Sequence, residues 1–281
     1  MIDREIEEAG SYWDGRAPGY PDSWVPVLRP AGLDLLDQVA RVVGDGRHAP
    51  RDLLDVGTGP GVLAIAATQH WPAVHATGLD VSPVMLEAAA AAAAKLVPDT
   101  RSRLRWVHGS AASLPFDSDS FDAIVSAFVF QFIPRQLAAL REFHRVLRPG
   151  GVLAWVTWRV GSPGPFAHDD ALEGRLRAVG RQLVDPPPGY RRKPSSPAAA
   201  VQQARRAGFR QVTGAALDLV YAFDRGEYLR LVEFADVPAT FRQLEPEERE
   251  QLRRDLVQRW EMLPDPAFVL RERLVRVVAR R

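Results

Sequence analysis

The chain has 281 residues, 46% of them hydrophobic, with a formal net charge of +1 and no cysteine. That length and apolar content can fill a complete core, and they fit one elaborated α/β domain over residues 1–281. The near-neutral balance gives no basic field for nucleic acid, and the absence of cysteine excludes disulfides, thiolate metal sites and a cysteine nucleophile.

The start, Met1-Ile2-Asp3-Arg4-Glu5, has no apolar leader pattern, and no stretch approaches the ~18 apolar residues of a membrane span, so a cytoplasmic protein without a span is expected. A Pro/Tyr/Trp-rich segment over 12–30 precedes residues 31–43, where Leu35, Leu36, Val39, Val42 and Val43 recur at helical spacing. Residues 1–50 therefore read as an N-terminal cover segment followed by a helix. Next comes Leu53-Leu54-Asp55-Val56-Gly57-Thr58-Gly59-Pro60-Gly61, an apolar run ending in three glycines at alternate positions. It reads as a buried parallel strand, 52–56, breaking into a turn where a ligand can touch bare backbone. A dinucleotide fingerprint, G-x-G-x-x-G/A, fits at Gly57 and Gly59 but finds Val62 in its third place. A phosphate loop needs Lys followed by Ser or Thr, whereas Val62, Leu63 and Ala64 follow Gly61. Pro60 also removes a backbone donor that a pyrophosphate cradle needs. The turn points to another nucleotide-type cofactor.

Helix 61–70 leads to strand 74–79, and Asp80 stands at its carboxyl end before Ser82-Pro83. An acid there, about 20 residues past the turn, is the usual partner of two ribose hydroxyls, with capping of the following helix as the rival role. Helix 83–96, strand 104–108, the segment Gly109-Ser110-Ala111-Ala112-Ser113-Leu114-Pro115-Phe116, strand 121–127 and helix 134–147 follow. Leu147-Arg148-Pro149-Gly150-Gly151 then turns into strand 152–158. Five parallel strands alternating with helices make a doubly wound sheet, with its ligand at the carboxyl edge where strand order reverses. Residues 51–159 read as the cofactor-binding core. Beyond them, the breakers Gly161-Ser162-Pro163-Gly164-Pro165 precede a helix over 167–183 and a loop over 185–194. A helix over 197–207, a strand over 212–223, helices over 225–235 and 246–260, and a closing strand within 268–279 complete the chain.

The glycine turn, Asp80, the Gly109 to Phe116 segment and the Leu147 to Gly151 turn, in this order and at these separations, resemble those of the class I S-adenosylmethionine-dependent methyltransferases. The resemblance spans residues 10–160 and is nearest the bacterial small-molecule branch that includes ubiquinone and menaquinone C-methyltransferases. It implies an α/β, doubly wound, mostly parallel seven-stranded Rossmann-like sheet. The last two strands would form a hairpin whose final member runs antiparallel, and helical insertions, residues 160–195 and 225–262, would cover the substrate within the closing part, 160–281. It also implies S-adenosyl-L-methionine as cofactor, no metal, and methyl transfer to a carbon or oxygen of a small, partly apolar molecule. The alternative is a protein on the same scaffold that uses the cofactor non-reactively, for a cyclisation or rearrangement, or only binds it. The oligomeric state stays open.

Residue by residue, the resemblance puts the backbone at Gly57 and Gly59 against the methionine moiety, with Asp55 orienting the turn or merely capping it. Asp80 meets ribose, Val81 presses on adenine, and Ser110-Ala111 meet the adenine edge, although many relatives have Asp where Ser110 stands and a plain turn role is also open for this serine. Thr58, Gly61, Ser126 and Tyr12 complete the cofactor set. Phe128, Gln131 and Phe132, after strand four, are the substrate-side candidates, with packing as the rival role for the aromatics. Candidate bases are Tyr20 and His168, the latter beside Asp169 and Asp170, where an exposed helix start is the rival reading. His70, His75 and His144 read as surface or packing residues. The basic groups Arg191-Arg192-Lys193 and Arg205-Arg206 read as solvated faces, and no nucleic-acid partner is expected. Asp185-Pro186-Pro187-Pro188 is similar to the Asp-Pro-Pro-Tyr signature of amino-methylating DNA enzymes, but that signature belongs just after strand four, where this chain has Ser126-Ala127-Phe128-Val129.

Overall fold

The computed structural model describes residues 2–43, 49–161, 193–236, 241 and 244–281. Its N-terminal part is more helical than apolar spacing predicts: α1 spans Ile2–Asp14, and α2 spans Tyr20–Val43 instead of beginning at residue 31. Pro21 lies in the first turn of α2, where its missing N–H has no partner to lose. Pro26 and Pro30 do cost backbone bonds. Val27 and Leu28, however, join Leu35, Leu36 and Val39 on one buried face, and that burial outweighs the loss.

The core alternates strand and helix as expected: β1 (Asp52–Val56), α3 (Val62–His70), β2 (His75–Asp80), α4 (Pro83–Ala93), a short α5 (Pro98–Ser102) and β3 (Leu104–His108). Then come β4 (Phe121–Ala127), α6 (Gln136–Val146) and β5 (Leu147–Trp158). The last of these starts at Leu147 because the chain through Pro149 and Gly150 stays beside β4 across an irregular register. β1 pairs parallel with β2 and β4, β2 with β3, and β4 with β5. After α7 (Pro197–Arg206) come β6 (Arg210–Ala222) and α8 (Arg225–Arg230), which runs into a π-helical turn, Leu231–Asp236. α9 (Pro246–Glu261) precedes β7 (Val269–Arg280). β7 lies between β5 and β6, antiparallel to both, giving one seven-stranded sheet in the order β3-β2-β1-β4-β5-β7-β6. The sheet is mostly parallel, with antiparallel pairing at one edge. The helix expected over 167–183 lies outside the described residues.

Side chains alternate across this sheet and so feed two apolar layers. Leu53, Ala123, Val125, Val152 and Ala154 pack with Leu35 and Val39 of α2, whereas Leu54, Ile124, Leu153 and Trp155 pack with Leu140 and Phe143 of α6. Strand order reverses between β2-β1 and β4-β5, and there the chain after β1 must leave the sheet sharply.

It does so at Gly57, Gly59 and Gly61, whose φ angles are 69°, 53° and 81°, in the left-handed region that favours glycine. The amides of Gly57 and Thr58 donate to the Leu79 carbonyl at 2.7 and 3.0 Å, stitching the turn to the end of β2. Asp55 fixes it from below: its Oδ2 accepts the Thr58 hydroxyl at 2.7 Å and the Ala64 amide at 3.2 Å. Ala64 is in the first turn of α3, so Asp55 caps a helix whose own N-cap residue, Gly61, has no side chain to do it. Burial pushes the Asp55 carboxyl up to about 7; the bonds from Thr58 and Ala64 oppose this rise, and the Asp80 charge adds to it.

This shift predicts a pH dependence of stability. Asp55 holds its proton up to about pH 7 in the folded chain and only to about 3.9 when unfolded, so its contribution is full below the lower value and is lost as pH rises through the upper one. Denaturant unfolding followed across that window should show stability falling with rising pH. Asp55→Asn, which keeps an acceptor oxygen for Thr58 and Ala64, should flatten part of that slope; Asp80, shifted in the same direction by burial, accounts for the remainder. A slope unchanged in the variant would remove Asp55 as its cause.

Candidate functional site

A cavity of about 170 Å³ opens at the carboxyl ends of β1, β2 and β4. One water needs only ~10–15 Å³ by the same kind of measure, so this is a chamber and not a packing defect. Its floor is the glycine turn: Asp55, Gly57, Thr58 and Gly59 all line it. A methyl group built on Gly57 would collide with Val129 at 2.2 Å, whereas one built on Gly59 would meet no heavy atom within 4 Å. Gly57 is thus required by packing, and Gly59 presents backbone to open space.

Asp80 sits beside that opening, with its side chain largely buried. It accepts the Gly59 amide at 2.8 Å and the Ser82 amide at 3.0 Å. Burial raises its pKa, backbone bonds from Ser82, Gly59 and Val81 lower it, and the charge of Asp14 raises it again. The cap of α4 is not Asp80 but Ser82, whose hydroxyl accepts the Met85 amide at 3.0 Å. That hydroxyl also donates to Asp14 at 2.6 Å, which pins the end of α1 over the β2–α4 junction. Val81, Met85, Ser110 and Ala111 continue the lining past Asp80. The Ser110 hydroxyl accepts the Ala112 amide at 3.2 Å, so part of its capacity goes to its own turn.

On the other side, Phe128, Val129 and Phe132 meet Trp13 and Tyr20 from the N-terminal helices. Trp13 stands edge-on to Phe132 at 4.9 Å and to Tyr20 at 6.0 Å. Burial, helped by the negative charge of Asp80, pushes the Tyr20 phenol well above its ordinary range. The shift favours the protonated phenol at this position. Phe128 has a φ of 59°, uncommon for a bulky residue. Gln131 accounts for it: its Nε2 donates to the Phe128 carbonyl at 2.6 Å, and its Oε1 accepts the Thr157 hydroxyl.

Four expected site residues lie off the cavity lining. Gln131 is buried beneath the loop it braces. The Ser126 hydroxyl points into the sheet and donates to the Val56 carbonyl at 2.9 Å. Gly61 lets α3 approach β3 and α4, since a methyl there would meet Trp106 at 2.7 Å and Ala89 at 3.0 Å. Tyr12 carries the Arg16 guanidinium over its ring at 3.6 Å, and its neighbour Trp13 takes the place at the cavity. His168, Asp169 and Asp170 lie outside the described residues. His70, His75 and His144 do not line the cavity, and the His144 ring packs on Phe209 at 5.2 Å. Unexpected members include Trp13, Met85, Arg29 and Arg135. Trp13 was legible once Ala9 and Trp13, four residues apart, are placed on one helical face; the lone arginines carried no signal.

The chemistry of the lining fits a nucleoside with a flexible tail: a carboxylate for ribose hydroxyls, an apolar slot for a base, and open backbone at Gly59. Among the described residues no group of three or more His, Cys, Asp or Glu gathers to hold a metal, and no helix is long and apolar enough to cross a membrane.

Comparison with known proteins agrees with this geometry. The family described as "Methyltransferase domain" matches residues 53–151. A demethylmenaquinone methyltransferase of Deinococcus radiodurans is 36% identical over 119 residues, 42% of this chain and 48% of the relative, so the match spans about half that relative's length. A ubiquinone/menaquinone biosynthesis C-methyltransferase of Methylobacterium nodulans is 34% identical over 180 residues, 59% of this chain and 69% of the relative. Among solved structures, a phosphoethanolamine N-methyltransferase of Haemonchus contortus with bound S-adenosylhomocysteine has a TM-score of 0.57 at 17% identity, covering 95% of this chain and 57% of that one, which shows the shared fold. With the glycine turn, the strand-two acid and this extent of likeness together, the chain belongs to the class I S-adenosylmethionine-dependent methyltransferases.

Proposed function

We propose that the protein transfers the methyl group of S-adenosyl-L-methionine to a carbon or oxygen of a small, partly apolar molecule of quinone or related type. The observation that carries this reading is that the glycine turn, Asp80 and an aromatic wall share one largely apolar cavity. Asp80 is the acceptor for the ribose hydroxyls, and Val81, Met85, Ser110 and Ala111 form the adenine slot. Gly57, Thr58 and Gly59 take the methionine end, with Asp55 acting through the turn. Phe128, Phe132 and Trp13 wall the acceptor side. The quinone methyltransferases among the relatives support an acceptor of that size and polarity.

The cofactor supplies a methyl group already activated on a positive sulfur. What remains for the chain is to hold the acceptor in line and to exclude water, which an apolar wall and a covering N-terminal helix do. Tyr20, holding its proton, orients by donating. A phenol or enol acceptor must give up a proton, and His168 is the candidate to take it. The reading places the protein in the cytoplasm, with the cofactor. No observation favours the non-reactive alternative.

Two measurements test this. Asp80→Ala should weaken S-adenosylhomocysteine binding by about 1.5–3 kcal/mol, the range for lost hydrogen bonds to a charged acceptor, as read by isothermal titration. An unchanged Kd in a folded variant would take Asp80 out of the cofactor site. With a reduced quinone as acceptor, mass spectrometry should find one S-adenosylhomocysteine formed for each product heavier by one methyl. Turnover sustained with S-adenosylhomocysteine in place of the methyl donor would sink the transfer reading.

A further inference from the structure

Among the described residues, β6 is hydrogen-bonded to β7 on one side and to no strand on the other. A bare edge of this kind is a template for another strand, and proteins ordinarily blunt it by shortness, charge, proline or a bulge. The opposite edge follows that rule: β3 has five residues and carries Arg105 and His108. β6 does not. It has 13 residues, its one irregularity falls between Arg210 and Thr213, and residues 213–222 contain no proline and a single charge, Asp218. On the same stretch Val220, a large apolar side chain, is 55% exposed.

The strand is complementary to itself. Two copies of one strand pair antiparallel about a two-fold axis, and the two faces of the joined sheet match only when that axis passes through a residue. An axis at Asp218 would set two carboxylates opposite each other, which is destabilising. An axis at Leu217 pairs residues 213–221 with their copies, clear of the irregularity, and Leu217 then meets Leu217. In this register small residues face large ones on both sides of the sheet: Thr213 faces Tyr221, Ala215 faces Leu219, and Gly214 faces Val220. Gly214 lies under α7, since a methyl built on it would meet the Val201 side chain at 2.7 Å and the Pro197 carbonyl at 3.1 Å. Val220 of one copy is therefore laid beside Gly214 and against the flank of α7 of the other, which covers the exposed side chain. We propose that the β6 edge is the interface of a homodimer, in which two copies join antiparallel about Leu217 into one continuous sheet.

Sedimentation equilibrium of the full chain across the micromolar range tests this, with the folding of each variant checked by thermal unfolding. The wild type should sediment as two chains and Val220→Lys as one, because the lysine would be pressed against α7, which carries Arg205 and Arg206 and no acid. Ala216→Lys sets a lysine opposite the second copy's Asp218 and should keep the dimer, so added charge alone does not account for the loss. The chain has no cysteine, so Leu217→Cys supplies a single thiol. Its copies would face each other within the ~4.4–6.8 Å between Cα atoms that a disulfide spans, and it should cross-link on mild oxidation. Ala222→Cys, at the far end of the strand from its copy, should not. A wild type that sediments as one chain overturns the proposal. So does a dimer that survives Val220→Lys, a dimer lost equally in both lysine variants, or Ala222→Cys cross-linking as readily as Leu217→Cys.

Discussion

The Asp55 carboxylate, buried between β1, the glycine turn and the first turn of α3, is the constraint on which the site depends. A strand entering a helix through left-handed glycines has little side-chain packing to hold it, so the turn's geometry must come from hydrogen bonds. Asp55 makes them downward, to Thr58 and Ala64, and Asp80 makes one from above, to Gly59. Burial is the first cause that raises both acids; the Asp80 charge raises Asp55 further, and the Asp14 charge raises Asp80.

The parallel core was legible in the sequence for physical reasons that also set the limits of the reading. Strands buried on both faces read as apolar runs, left-handed turns demand glycine, and an acid at a strand end has few other uses. The N-terminal helix was not legible over its first turns because Pro26 and Pro30 argue locally against it. Only the sheet that buries Val27 and Leu28 overrides that local signal. The closing strands were legible as strands, and the family resemblance implied a hairpin with an antiparallel final member; the place of β7 between β5 and β6 was not legible, since alternation alone does not order an edge. The expected cover over 160–195 falls largely on residues whose structure is not described.

Within the site, Ser126 and Gln131 lie off the cavity lining for a shared reason. Ser126 and Gln131 are polar residues near the carboxyl end of a central strand, and such residues serve either a ligand or the protein's own backbone. Sequence does not distinguish the two. In a strand buried on both faces, period-two alternation cannot say which face meets the cavity, and Ser126 spends its hydroxyl on the Val56 carbonyl. Gln131 is one step more indirect. It holds the Phe128 carbonyl and thereby a left-handed Phe128, so a residue with no access to the cavity fixes the ring that lines it. The backbone there is held on both sides, by the Phe128 amide donating to the Val156 carbonyl at 2.8 Å and by Gln131, which Thr157 of β5 in turn holds in place.

The two sides of the cavity follow different logics. The side proposed to hold the cofactor is built from strand ends and turns, where covalent geometry leaves few choices and residue type is diagnostic. The opposite side, proposed to face the acceptor, is built from α1, α2 and the loop after β4, and its helix-borne lining residues, Trp13, Val25, Leu28 and Arg29, are ordinary helix types. Val25 and Arg29 can change with little disturbance to the sheet, because α2 is held by Val27, Leu28, Leu35, Leu36 and Val39 on its buried face. The wall at the glycine turn and Asp80 is therefore bound to the fold, whereas Val25 and Arg29 on the opposite wall are not, and substitution there alters the cavity while leaving the sheet intact.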